Sequence, residues 1–280
     1  MLRCGADDFG PPLGRRRLKA RIAVDLALVV DAAADVVLSI TPPAAWIHDE
    51  QLGIVLDGRT MTAAQAEDAH GGRVHRLVLA PGAVEISYRA ETRTPVAPAP
   101  SDDLDPVRYL RPSRYAQSDV LFETAALFSD STARDTVSRI AQWVHDKLSY
   151  VPGSSSPTDS AVDTLRAERG VCRDYAHLTI ALLRARGIPA RLVSAFAPGL
   201  DPMDFHAVVE AFVDGRWEVV DPTRLAPRPH LVRIATGRDA ADTAFLTTLS
   251  GAVSVQRMTV MAVASDSLAH DDHVGAVLLR

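Results

Sequence analysis

Apolar residues along this chain follow two different rhythms. Toward the N-terminal end the runs at 22–30 and 36–40 are dense in β-branched and aliphatic residues, which predicts strands. Residues 74–79 and 84–88 alternate apolar and polar on either side of Pro81-Gly82, the pattern of a hairpin. Pro42-Pro43 and the stretch 53–58 read as loops and short strands. From Thr132 the period lengthens. Thr132 and Asp135 stand at capping-box spacing, and Val137, Ala141, Val144 and Leu148 recur on one helical face, predicting a helix over 132–149. The Pro- and Ser-rich stretch 152–157 is a loop, and Ser160 with Asp163 opens a short helix that ends before Gly170. A third helix runs from about Cys172 to Arg186, with Ala176, Ile180 and Leu183 on one face, Gly187 as its stop and Pro189 beyond. Strands are predicted at 190–196, 206–213, 216–221 and 253–263.

Between the two rhythms lies a proline-rich, then acidic stretch, Thr94 to Asp103, which cannot continue a central strand. The expected organisation is therefore a mobile arm at 1–17, a β-rich domain at 18–98, a mixed core at 99–265 and a tail at 266–280. No internal repeat is present.

The Asp214-Gly215 pair predicts a two-residue hairpin, because a type I′ turn requires positive φ at both central positions. In that register Val213 faces Arg216, Val208 faces Asp221 and His206 faces Thr223. His206 and Asp221 then share one face as diagonal neighbours, roughly 7–8 Å apart along the ladder. A three-residue loop would place Val209 opposite Asp221 and send the carboxylate to the other side. The bland alternative is that His206 merely begins a strand and Asp221-Pro222 merely opens a turn.

Composition narrows the choice of chemistry. The chain has 280 residues, is 47% hydrophobic and carries a net charge of −5, so it can bury a sizeable core and lacks the basic excess of a nucleic-acid-binding protein. Its two cysteines, Cys4 and Cys172, cannot form a disulfide framework or a CxxC metal site. The opening residues include Asp7 and Asp8 and no continuous apolar run, and residues 22–30 are too short to span a bilayer. A cytoplasmic location without membrane contact is expected. The basic run Arg15 to Lys19 reads as a solvated face. His270 and His273 flank two aspartates but form an incomplete ligand set, so no metal site is expected. Serine-hydrolase, P-loop and dinucleotide motifs are missing from the sequence.

That leaves Cys172. It opens a predicted helix, where the helix dipole and free N–H groups favour a thiolate and supply donors to an oxyanion. A thiolate, an imidazole and a carboxylate that orients the imidazole make up a thiol acyl-transfer site. A lone cysteine can equally be a small buried hydrophobe, but Cys172 stands at the helix start and off the apolar stripe.

Residues 170–177, Gly-Val-Cys-Arg-Asp-Tyr-Ala-His, resemble the nucleophile motif of the transglutaminase-like superfamily in its bacterial form. Residues 204–207, Asp-Phe-His-Ala, resemble its histidine motif, and 220–224, Val-Asp-Pro-Thr-Arg, its aspartate motif. The order Cys, His, Asp also matches. The segments 109–113, 143–150 and 233–242 resemble flanking parts of these proteins, so the likeness covers about 109–261, and the β-rich front resembles the domain that often precedes this core. The resemblance implies an α+β fold: a papain-like core with a central helix on an antiparallel sheet, preceded by a β-sandwich-like domain. It implies that Cys172 attacks an amide or ester carbonyl, His206 protonates the leaving group and Asp221 holds the ring. A peptide or amide substrate is expected, with hydrolysis slightly favoured over transamidation, since no second site for an amine is visible. No cofactor is expected, and the calcium used by some animal members has no matching acidic cluster here.

Four further residues are candidates for the oxyanion site or the cleft. The Cys172 N–H is the natural first oxyanion donor, and a group near Tyr150 or in the loop 153–156 could supply a second. Tyr150 could also be a helix-end packing aromatic. Asp174, with Arg173, could be a surface pair or a dipole partner. Arg238 and Asp239 line the cleft by resemblance or staple a loop, and His177 reads as a packed core histidine. The rival reading of the whole protein is a non-catalytic interaction module on the same scaffold. The sequence sets neither the substrate's identity nor the oligomeric state.

Overall fold

A computed structural model describes residues 19–68, 70–93, 102–129 and 132–279. Cys4, the arm at 1–17 and the prolines of 95–100 lie outside the described residues. In chain order the elements begin with β1 (Ala20–Thr41), β2 (Ile47–Leu56), β3 (Arg59–Thr60), β4 (Ala64–Glu67), β5 (Arg73–Leu79) and β6 (Gly82–Thr92). The middle holds α1 (Asp105–Arg108), α2 (Phe122–Ala125), α3 (Ala133–Lys147), β7 (Ser149–Tyr150), α4 (Ala161–Ala167), β8 (Arg169–Gly170) and α5 (Cys172–Ala185). The remainder is β9 (Ala190–Phe196), β10 (Phe205–Val213), β11 (Arg216–Val220), β12 (Val232–Gly237), α6 (Ala240–Thr243) and β13 (Leu246–Ala264).

The two apolar runs at 22–30 and 36–40 are halves of one strand, β1, that bends around the small residues Ala32 to Ala34. Along one edge β1 pairs first with β6 and then with β5. Those two strands do not form the hairpin expected at Pro81-Gly82. They run end to end beside β1, and the proline interrupts them at the bend, where it costs no ladder hydrogen bond. Along its other edge β1 pairs with β13, with register shifts concentrated between Val30 and Val36. Gly251 makes that approach possible. Its φ is +86°, and a Cβ there would lie 2.6 Å from the Ala34 Cα.

The strand expected at 253–263 therefore belongs to the N-terminal sheet and not to the core segment 99–265. It is also longer than expected, because Leu246 to Ala252 continue it around the corner. The resulting seven-stranded sheet curls over an apolar interior of Ile22, Val24, Leu26, Leu28, Val36, Leu38, Ile40 and Tyr88.

The second unit is a four-stranded antiparallel sheet, β11-β10-β9-β12, with α5 packed across β9 and β10. Val209, Ala211 and Val213 of β10 share an apolar cluster with Leu178, Ile180 and Leu182 of α5 and Ile140 and Val144 of α3. The strand β12 was not predicted as one. It brings Val232 and Ile234 into the same apolar cluster as β1, so the two units share a core. Asp105, fully buried, adds a polar tie: it lies 3.6 Å from His70 of the first unit and 3.5 Å from Arg191 of β9. The tail, left without a predicted element, packs back on this sheet. Val219 donates its N–H to the Val277 carbonyl at 2.7 Å, and the Asp271 carboxylate accepts from Arg228 at 2.7 and 2.9 Å.

Among the described residues, no helix is long and apolar enough to cross a membrane.

Candidate active site

The nucleophile's position follows from how α5 begins. Val171 is extended, and the Asp174 carboxylate accepts its N–H at 2.8 Å, capping the first turn from the third helical position. Asp174 is buried, so it is no surface pair. Its second oxygen accepts the Ser155 hydroxyl at 2.9 Å, and Arg173 donates to the Ser155 hydroxyl at 2.6 Å and to the Ser156 carbonyl at 2.6 Å. The loop 153–156 is thereby held against the helix start. Gly170 leaves room for this cap, since a Cβ there would fall 2.6 Å from that of Asp174. Cys172 is then the first residue of the helix, half-buried and free.

The histidine and aspartate come from the predicted hairpin. Val213 pairs with Arg216, and Asp214 and Gly215 have φ of 51° and 76°, the type I′ signature. The ladder closes at Val209 and Val220, and one residue beyond it Asp221 turns back toward His206. His206 Nε2 lies 2.8 Å from Asp221 Oδ2. The other carboxylate oxygen accepts the Thr223 N–H at 2.9 Å and the Thr223 hydroxyl at 2.7 Å, which locks the Asp-Pro turn. His145 of α3 lies 2.8 Å through Nδ1 from the Pro222 carbonyl and holds the same turn from outside.

His206 and Asp221 are both fully buried at their side chains. Burial works against the charged imidazolium, but the Asp221 charge and hydrogen bond, with the neighbouring Cys172, push the His206 pKa up to about 10. Burial likewise works against the carboxylate, yet His206 and Thr223 hold Asp221 below its ordinary value. With Nε2 committed to Asp221, His206 Nδ1 is buried without a hydrogen-bond partner, and the ring stands beside the Cys172 thiol. This is the arrangement in which a ring nitrogen can take a proton from a thiol and return it to a leaving group.

The other candidates separate. Tyr150, in β7, pairs in parallel with Gly170 just before the nucleophile. The residue is 39% exposed, its ring packs against Tyr175 with centroids 6.0 Å apart, as a helix-end aromatic would, and its hydroxyl also interacts with both the backbone N–H and the thiol of Cys172. Burial and the nearby Cys172 charge raise the Tyr150 pKa above its ordinary value. Arg238 and Asp239 do not meet the triad in any hydrogen bond. Arg238 pairs with Asp242 at 2.9 Å; Asp239 accepts the N–H groups of Tyr115 and Ala241 and so caps α6. His177 is fully buried, accepts the Ala240 N–H at 3.1 Å and stacks on Tyr115. These contacts tie the loop after β12 to the middle of α5. Sequence reasoning assigned no role to His145 or Thr223; both lie inside the quoted motifs, but nothing in spacing shows what they hold. Ser155, in the loop expected to offer a second oxyanion donor, has its hydroxyl engaged with Asp174 and Arg173. Among the described residues, no group of three or more His, Cys, Asp or Glu is placed to hold a metal ion.

Comparisons with known proteins give the family and the fold. A family model described as the transglutaminase-like superfamily matches residues 123–222, a span that contains the thiol, the imidazole and the carboxylate. A crystal structure from Cytophaga hutchinsonii, described as a "putative cysteine protease", superposes with a TM-score of 0.83 at 32% identity, covering 91% of this chain and 93% of that one. An uncharacterised protein of Mycobacterium leprae is 37% identical over 120 residues, 40% of this chain and 43% of that protein. One from Mycobacterium tuberculosis is 35% identical over 125 residues, 39% of this chain and 38% of that protein. The match thus spans less than half the length of each mycobacterial relative.

Proposed function

This chain belongs to the transglutaminase-like superfamily, and from that premise we propose that it is a thiol-dependent acyl-transfer enzyme acting on an amide or peptide bond. The observation that carries the reading is the buried His206–Asp221 pair at 2.8 Å, with an unpartnered ring nitrogen beside a cysteine at a helix N-terminus.

In the first half-reaction the Cys172 sulfur attacks the carbonyl carbon. The thiol proton is held by His206 Nδ1, and Asp221 stabilises the resulting imidazolium. The negative charge that develops on the carbonyl oxygen is met by the Cys172 N–H and the Tyr150 hydroxyl. His206 then returns its proton to the departing amine as the carbon–nitrogen bond breaks, leaving a thioester on Cys172. Water, deprotonated by His206, attacks that thioester; the carboxylic acid departs and the thiol is restored. Release to water needs no second binding site, which favours hydrolysis over transamidation.

The test is alkylation by iodoacetamide across pH, followed at each cysteine by peptide mass spectrometry. Cys172 is expected to alkylate rapidly down to about pH 6, well below the range of an ordinary thiol near 8.5, and His206→Ala to abolish that low-pH reactivity. A wild-type Cys172 that reacts with the profile of Cys4 would favour the interaction-module reading instead. The adduct left on Cys172 by a peptide or cell-wall fragment library would then name the substrate.

A further inference from the structure

We propose that His145 is a positioning residue of the candidate site: acting through a single peptide group, it sets the Asp221 carboxylate against His206. The inference rests on the acyl-transfer reading and adds to it a residue that works through Asp221 and not on the thiol itself.

Asp221 stands one residue beyond the last pair of the β10–β11 ladder, so the turn that follows it helps to set where its side chain points. Pro222 has no N–H, and its carbonyl is the only backbone group through which it can be held. His145 Nδ1 lies 2.8 Å from that carbonyl oxygen. A carbonyl only accepts, so Nδ1 carries the proton and donates. The same carbonyl belongs to the planar trans peptide group that ends in the Thr223 N–H. In a trans peptide the C=O and the N–H point opposite ways. The Thr223 N–H therefore points away from His145, and Asp221 Oδ1 accepts it at 2.9 Å. The Thr223 hydroxyl donates to the same oxygen at 2.7 Å, and Oδ2 is left for His206 Nε2 at 2.8 Å. One rigid plane thus joins His145 to the carboxylate, and the carboxylate joins that plane to the imidazole. Turning the Pro222 carbonyl away from His145 swings the Thr223 N–H off Asp221. Donation by His145 also polarises the peptide, which strengthens its N–H toward the carboxylate.

The donor is itself firmly placed. Val144, next to His145, and Ile140, about one turn earlier, are both 0% exposed and pack in the cluster of α5. Gln142, three residues before His145 on α3, ties the far end of the same turn. Its Oε1 accepts from the Arg224 guanidinium, while its amide nitrogen donates to Asp146 at 2.8 Å. Arg224 has a φ of 57°, a left-handed conformation that an arginine keeps only where its surroundings hold it. The turn that presents Asp221 is therefore fastened to a helix as well as to its own strand.

The test follows iodoacetamide alkylation of Cys172 against pH in the full-length protein, with urea midpoints to check the fold. His145→Leu keeps apolar bulk and removes the donor. It is expected to raise the pH midpoint of alkylation by about one unit, the size of one net hydrogen bond. His145→Asn, whose amide nitrogen takes the place of Nδ1, should reverse most of that shift. In an Asp221→Asn background, His145→Leu should add no further shift, because the group it acts through is already lost. An unshifted midpoint in His145→Leu overturns the proposal. So does a shift that persists in the Asp221→Asn background, one that asparagine does not reverse, or an equal shift in Leu26→Ala, a control for lost stability in β1. Should His145→Leu not fold, His145→Ala takes its place; failure of both to fold would make His145 a residue of the fold alone and likewise overturn the proposal. Wild type separates the two levels of inference. A Cys172 with the midpoint of an ordinary thiol fails the acyl-transfer reading, whereas a low wild-type midpoint that His145→Leu leaves in place fails this proposal alone.

Discussion

β1 and β10 are both central strands, and they bury different things. Every buried side chain on the first half of β1 is apolar: Ile22, Val24, Leu26, Leu28 and Val30. On β10 the alternate positions His206, Val208 and Glu210 put two ionisable groups into the interior. Glu210, 1% exposed, accepts from Arg191 at 2.8 Å and is clasped by the buried Arg233, whose guanidinium also bonds Thr236. That half of β1 is thus held by area removed from water, which is non-directional and tolerant of small changes. β10 adds to its apolar contacts groups that need their partners, because an unpaired buried charge is expensive. β10 carries the imidazole of the candidate site, and the carboxylate that bonds it follows the neighbouring strand.

Reactivity should show the largest contrast. Asp221→Asn removes the charge that keeps His206 protonated across neutral pH, so Cys172 alkylation at pH 6 should fall by about a hundredfold or more, measured by adduct formation over time. Any substitution in β1 that leaves the protein folded should leave that rate unchanged. In stability, Glu210→Ala strands two buried arginines and should cost about 3–5 kcal/mol in urea unfolding. Leu26→Ala, which empties a site with 0% exposure, should cost about 2–5 kcal/mol through lost burial and a cavity. The two can be told apart by lowering pH below the usual carboxylate range, which protonates Glu210 and narrows the first gap while leaving the second alone. At the corner of the curled sheet, Gly251→Ala must fit a Cβ against the Ala33–Ala34 backbone at positive φ, and about 1–3 kcal/mol is expected from strain.

Stability should also depend on pH. His206 has a folded pKa near 10 against an unfolded 6.5. Its charged form is therefore favoured by folding, and the stability it contributes is complete below about pH 6.5 and lost as pH rises toward 10. The stability gap between wild type and His206→Gln should narrow over that window, read from denaturant midpoints. A gap that widens with pH would mean that His206 is buried neutral.

Much of this was legible in the residues. Asp214-Gly215 fixes the turn, the turn fixes the register, and the register puts His206 and Asp221 within reach; each step is local chemistry. The helix start at Cys172 is similarly local, set by Asp174 two positions on and by a glycine that makes room for it. Pro81-Gly82 shows where local reading fails. The same two residues suit a hairpin or an interruption between strands lying end to end, and the choice is made by β1, whose bend lies more than forty residues earlier. β13 fails for the same reason: its pattern announces a strand, but which sheet receives it depends on the open edge of β1.

The sequence by itself therefore determined the period of the long elements, the turn that sets the β10–β11 register and the chemical kinds present at the site, because these depend on backbone preference and on neighbours a few residues away. Only the tertiary structure decided which sheet owns β13, that β12 is a strand shared with the core of β1, and that Tyr150 meets the nucleophile while Arg238 and Asp239 hold the loop after β12. Those outcomes depend on burial and on partners distant along the chain, where a charge is tolerated only if the fold supplies its counterpart.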